Sequence, residues 1–166
     1  VINGKKAELT EEQLEQLGIE VEKPNPYERV NEGEVYYSCE ITGSNSATEL
    51  KTKFDDELYI NADYCADKEM AEQDILHDLL NRKLRQFSNL NGGIELNSNI
   101  NKYYWEMSRV AKYYIFYNYT DREFYVNGNC SSKTSNVVYF KSQEIAERAI
   151  EVIINPFMKE NPEVVW

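Results

Sequence analysis

The sequence predicts an α+β fold made of two repeated β-β-β-α modules, with helices packed on antiparallel sheets and a short capped helix at the N-terminus. Two observations carry this prediction. The stretch YFKSQEIAERAI at 139–150 restates YCADKEMAEQDI at 64–75, with Glu69/Glu144, Ala71/Ala146, Glu72/Glu147 and Ile75/Ile150 in matching places. The same order of strand-like and helix-like runs precedes each copy, and the leading strands align through Tyr36-Tyr37 and Tyr113-Tyr114. One such module would bury too little surface to be stable, so the two are expected to share a core.

Each element has a local signature. In LTEEQLEQLGI, Thr10 is a suitable N-cap and Gln13 completes a capping box, while Gly18 fits the position after the last turn. EKPNPYERVNEG, with Pro24, Pro26 and Gly33, reads as a linker, so residues 1–32 form a lead-in. The first module spans 33–93. It opens with a strand in GEVYYSCEI (33–41), followed by turn material in TGSNSAT (42–48) and one or two strands in DELYINADY (56–64). Asp67 then caps a long helix in which Ile75, Leu76, Leu79, Leu80, Leu84 and Phe87 form an apolar stripe, and Asn91-Gly92-Gly93 ends it.

The second module spans 94–166. Strands are expected in VAKYYIFYNY (110–119), TDREFYVNGN (120–129) and SNVVYF (135–140). Ser142 caps a final helix that Pro156 must end or disturb.

Charge is distributed unevenly. The chain carries a formal net charge of −11, and all of it lies in residues 1–100, where 21 acids face 10 bases; the remainder has 8 of each. A nucleic-acid-binding surface needs clustered Lys and Arg, so direct binding to DNA or RNA is excluded as an expectation. A basic protein partner fits instead. The acids expected to form that face are Asp55, Asp56, Glu57, Asp63, Asp67, Glu69 and Glu72. Thirteen tyrosines suit thin sheets with one wetted face.

Catalytic signatures are weak. His77 lies between Asp74 and Asp78 on the flank of the helical stripe, where a surface or structural role is expected. Asp55-Asp56-Glu57 lacks the spacing of a calcium loop, and Glu49-Leu50-Lys51 echoes only half of a metal-dependent nuclease motif. Cys39, Cys65 and Cys130 form no CxxC pair and suggest neither a metal site nor a disulfide framework. There is no phosphate-loop glycine pattern. Tyr103, Tyr104, Trp105, Tyr113, Tyr114, Tyr117 and Tyr119 form an aromatic cluster in a neutral segment, expected to serve core packing or a protein interface rather than base stacking. No catalytic residue, metal or cofactor is expected. The sequence has neither a secretory pattern nor a membrane-length apolar run, and a cytoplasmic setting is expected.

The order NGKKAELTEEQLEQLGI, NPYERVNEGEVYY, DDELYINADYCADKEMAE, KYYIFYNY and VYFKSQEIAERAI resembles small acidic accessory proteins of Gram-positive phages and prophages. That resemblance covers nearly the whole chain and brings no catalytic residue with it. It implies a non-enzymatic, phage-encoded binding protein in the host cytoplasm. The implied role is an anti-CRISPR-like inhibitor of a host defence protein such as a CRISPR nuclease, acting by competition with nucleic acid. The alternatives are a structural or regulatory phage protein that self-assembles, for instance as a homodimer, and a metal-dependent hydrolase.

Overall fold

A computed structural model describes residues 11–18, 25–40, 43–92, 105–106, 110–129 and 133–164. Its architecture is α+β, with two small three-stranded antiparallel sheets and helices packed against them. In the first sheet, β1 (Val35–Glu40) is central between β2 (Gly43–Thr48) and the two-residue β3 (Tyr64–Cys65). In the second, β4 (Lys112–Asn118) is central between β5 (Glu123–Asn129) and the two-residue β6 (Tyr139–Phe140).

Two expectations for the first module are corrected. GSNSAT is a strand, not a turn: it pairs with β1 over its whole length, from Val35 opposite Thr48 to Glu40 opposite Gly43. Its polar residues have low strand propensity, and the ladder formed with β1 overrides it. The region expected to be a strand from Asp56 is largely a helix, α2 (Lys53–Ile60). Thr52 and Asp55 form a reciprocal capping box at its start, which satisfies orphan N–H groups and outweighs the β-favouring Leu58, Tyr59 and Ile60. Among the described residues, the order is therefore β-β-α-β-α over residues 35–90 and β-β-β-α over residues 112–160.

α1 (Glu11–Gln16) forms where expected, followed by Gly18 at a φ of 67°. Its proposed cap, Thr10, lies outside the described residues, as does Cys130. α3 (Lys68–Leu90) begins at an Asp67 side chain that accepts from the Met70 N–H at 2.9 Å. Its stripe packs Leu80 and Leu84 against Val138 and Phe140 of the second half and against α4 (Gln143–Ala149). Burial of each such Leu or Phe contributes about 1.5–3 kcal/mol. α3 also lies on the first sheet, so it links both halves. The Ser88 hydroxyl ties it further by donating to the Tyr139 carbonyl at 2.6 Å.

Pro156 disturbs the last helix without ending it. α4 passes through a π-helical turn, Ile150–Ile154, into α5 (Asn155–Glu160). Proline lacks an N–H, and its ring clashes with the carbonyl four residues back. Widening the preceding turn removes that clash, and the Asn155 N–H accordingly bonds to Ile150, five residues back.

Candidate functional site

The acids around α2 divide into two groups: those committed inside the fold and those presented to solvent. Glu49 is fully buried, yet each oxygen is satisfied. Arg29 binds it as a fork, Nε to Oε2 and Nη2 to Oε1, both at 2.9 Å. The Tyr64 hydroxyl donates to Oε2 at 3.1 Å and the Lys51 N–H donates to Oε1 at 2.7 Å. Arg29 holds the Glu49 carboxyl below its ordinary range, against the opposing effect of burial. Arg29 also reaches Asp56 at 2.6 Å.

Asp55 is likewise an internal acceptor, at 4% exposure. The Tyr36 hydroxyl donates to Oδ1 at 2.8 Å. Three donors converge on Oδ2: the Thr52 N–H and hydroxyl, both at 2.8 Å, and the Leu50 N–H at 3.2 Å. The Thr52 N–H, then the Tyr36 hydroxyl, lower its pKa to about 2. Tyr36 and Tyr64 stack with ring centroids 4.1 Å apart, joining the two carboxylates into one network. Glu49 and Asp55 have their acceptor capacity consumed by the fold, which leaves neither disposed to ligate a metal or take a proton from a substrate.

The described part of the stretch read as a linker, residues 25–33, belongs to this network. The Ala66 N–H donates to the Pro26 carbonyl at 2.6 Å, the Gly33 N–H to the Glu49 carbonyl at 2.8 Å, and the Tyr64 hydroxyl accepts from the Val30 N–H at 3.2 Å. Arg29 is therefore a site residue that sequence reasoning missed. Its signal was a lone Arg in an acidic stretch, 20 residues before the carboxylate it pairs with.

Above this network, α2 turns a mixed face outward. Phe54 and Ile60 are 61% and 79% exposed, with the Lys53–Glu57 ion pair between them at 3.3 Å. Leu50, just before the helix, is also exposed.

The seven predicted acids are not assembled on one face. Tyr36 points to α2 through Asp55, whereas Cys39, an odd number of residues along the strand, points to Ala71 of α3. α2 and α3 therefore cover opposite faces of the first sheet. Asp55 is buried, so it belongs to no surface; Asp56 is half-buried under Arg29 and Glu57 is exposed on α2. Asp67, Glu69 and Glu72 are exposed at the start of α3, with Glu72 paired to Lys68 at 3.3 Å, and Asp63 lies exposed on the connection.

The aromatic cluster also divides. Tyr113 packs against the core, and Tyr117, two residues beyond Ile115, shares that face. Tyr114 and Trp105 contact Tyr139 on the other. Tyr103 and Tyr104 lie outside the described residues. Burial raises the thiol pKa of Cys65 and brings that of Cys39 to about 11. His77 is exposed on α3. Among the described residues, no three His, Cys, Asp or Glu side chains converge as a metal site, and no helix is long and apolar enough to cross a membrane.

Compared with protein families, curated proteins and solved structures, the chain matches none at a significant level.

Proposed function

We propose that this chain is a non-enzymatic binding protein that docks on a basic protein surface in competition with nucleic acid. The observation that carries the reading is the outward face of α2, where exposed Phe54 and Ile60 flank Glu57 on a helix held rigidly by the Asp55 and Glu49 networks. Apolar anchors ringed by charge suit a specific interface: the anchors supply affinity on desolvation, and the acids supply steering and partner choice. The net charge of −11 extends that steering to long range. Together with the resemblance to phage accessory proteins, these features support inhibition of a host nucleic-acid-binding defence enzyme such as a CRISPR nuclease.

The test compares baits in affinity capture from Gram-positive bacterial lysate. One bait is the native chain, one carries Phe54→Ser and Ile60→Ser, and one carries Glu57→Lys and Asp63→Lys. A basic nucleic-acid enzyme held by the native bait and lost by both variants is the expected result. Equal recovery on all three would reject α2 as the docking surface.

The two halves are also read here as copies of one module. Support comes from the shared strand order and from the register. Tyr37 pairs with Cys65 as Tyr113 pairs with Phe140, and Ser38 pairs with Tyr64 as Tyr114 pairs with Tyr139. This sets Tyr37 against Tyr113, one residue away from the alignment of the paired tyrosines. Fully buried Tyr36 then corresponds to fully buried Lys112, and Ala71 to Ala146. In this reading the first copy gained α2, and with it the docking face, between its second and third strands.

A further inference from the structure

A second surface is the outer edge of the first sheet, and it stands whether or not α2 docks a partner. β1 bonds alternate residues to its two neighbours. On the β3 side the Cys39 N–H donates to the Asp63 carbonyl at 3.2 Å, and on the β2 side the Glu34 carbonyl accepts from the Glu49 N–H at 2.9 Å. Even-numbered residues of β1 therefore face β2, and the register pairs them with Gly43, Asn45 and Ala47. Ser44, Ser46 and Thr48 consequently turn their N–H and C=O groups away from the sheet. Ser46 and Thr48 are exposed, and among the described residues no strand lies beyond them. Six residues at about 3.4 Å each give an edge of about 20 Å, the length of an ordinary strand.

This edge differs from the other outer strands. β3 and β6 are two residues each and β5 begins with exposed Glu123, whereas β2 is full length and holds neither charge nor proline. Charges, prolines and short strands are what normally keep an edge from pairing with another chain. The β2 side chains are also small, Ser, Asn, Ser, Ala and Thr, and leave room for the β-branched or aromatic side chains of an added strand. The surroundings decide which chain is accepted. Near the Thr48 end, Glu32 and Glu34 are both exposed. Lys51 offsets Glu32 in an exposed pair at 3.6 Å, while Glu34 takes its hydrogen bonds from Asn31, a neutral donor, and keeps its charge. The whole net charge of −11 lies in residues 1–100, which include this sheet. A second copy of the chain would bring the same charge to the edge; a basic segment is drawn to it.

We propose that the β2 edge accepts an extended basic segment of a partner protein, which adds antiparallel to β2 as a fourth strand with Lys or Arg at its N-terminal end, beside Glu32 and Glu34. Hydrogen bonds to Ser44, Ser46 and Thr48 give the affinity, and the charge at the Thr48 end gives the preference and the direction.

The experiment titrates the ¹⁵N-labelled full chain with the capped peptide RKTVTVTV, following amide shifts and hydrogen exchange. Controls are EETVTVTV and an RKTVTVTV methylated at every Thr and Val nitrogen. Saturable shifts and slowed exchange at Ser44, Ser46 and Thr48 are expected, with affinity at least about tenfold lower for each control. In Ser46→Pro the lost N–H is one that faces away from β1, and proline is tolerated there on an edge strand. That variant should keep its circular dichroism and bind RKTVTVTV at least about tenfold more weakly, whereas Ser46→Ala, which retains the N–H, should bind as the native chain does. The methylated peptide leaves the protein unaltered and decides the matter if Ser46→Pro fails to fold. No saturation by about 1 mM, equal binding of the methylated or the acidic peptide, or native affinity in folded Ser46→Pro would overturn the proposal. So would concentration-dependent shifts at 44–48 without peptide, which would make the edge a contact between copies of this chain.

Discussion

Replacing Arg29 with Ala should be the most damaging single change to the first half of the molecule. Arg29 makes two forked contacts at 2.9 Å to Glu49, whose side chain is fully buried, and a third at 2.6 Å to Asp56. Removing it leaves Glu49 charged and enclosed, with only the Tyr64 hydroxyl and the Lys51 N–H as donors. Breaking a buried ion pair in this way costs about 3–5 kcal/mol. The Arg29 side chain is 29% exposed, so water can partly replace it, and the lower end of that range, about 3 kcal/mol, is expected. In urea unfolding followed by circular dichroism, the midpoint should fall by about 1–2 M. Arg29→Ala/Glu49→Gln, which removes the stranded charge, should recover about half of the loss, and the Glu49→Gln single variant completes the cycle that gives their coupling. A midpoint shift below about 0.5 M for Arg29→Ala, or no recovery in the double variant, would refute the view that this pair organises the sheet.

Stability should also report the network through pH. Asp55 has a folded pKa lowered to about 2 from 3.8, so its contribution is complete above about pH 4 and is lost as pH falls toward 2. Asp55→Asn should flatten acid unfolding in that window. Tyr64 is shifted the opposite way, chiefly by burial, to about 12 from 10.0; its contribution is therefore present below pH 10 and lost between 10 and 12. Spectrophotometric titration of Tyr64→Phe should show one fewer late-titrating tyrosine. Ala71 and Ala146 are fully buried where their helices meet the sheets, so Ala146→Leu should cost about 1–3 kcal/mol in thermal or urea unfolding through overpacking.

What could be read from the sequence follows the range of the forces involved. α3 was legible because its apolar spacing persists from Ile75 to Phe87, and Asp67 and Ser142 were legible as caps because a cap acts within one turn. The Thr52–Asp55 box was equally local, but the run of Leu58, Tyr59 and Ile60 obscured it. β2 was not legible, since GSNSAT becomes a strand only against β1. Nor were the roles of Glu49 and Asp55. An acid is buried when a donor arrives from elsewhere, and Arg29 and Tyr36 arrive from positions 20 and 19 residues away. The same long-range pairing split the predicted acidic surface, placing Asp56 and Glu57 on one side of the first sheet and Asp67, Glu69 and Glu72 on the other.

The most direct test of the binding role is displacement. A partner captured from lysate on the immobilised chain is challenged with a 40-nucleotide single strand at moderate salt, with the Phe54→Ser/Ile60→Ser chain run in parallel. If the α2 face competes with nucleic acid, the DNA releases the partner from the native chain in proportion to its concentration, and the variant retains little partner to release. A partner that stays bound at saturating DNA, or that binds both chains alike, contradicts the account.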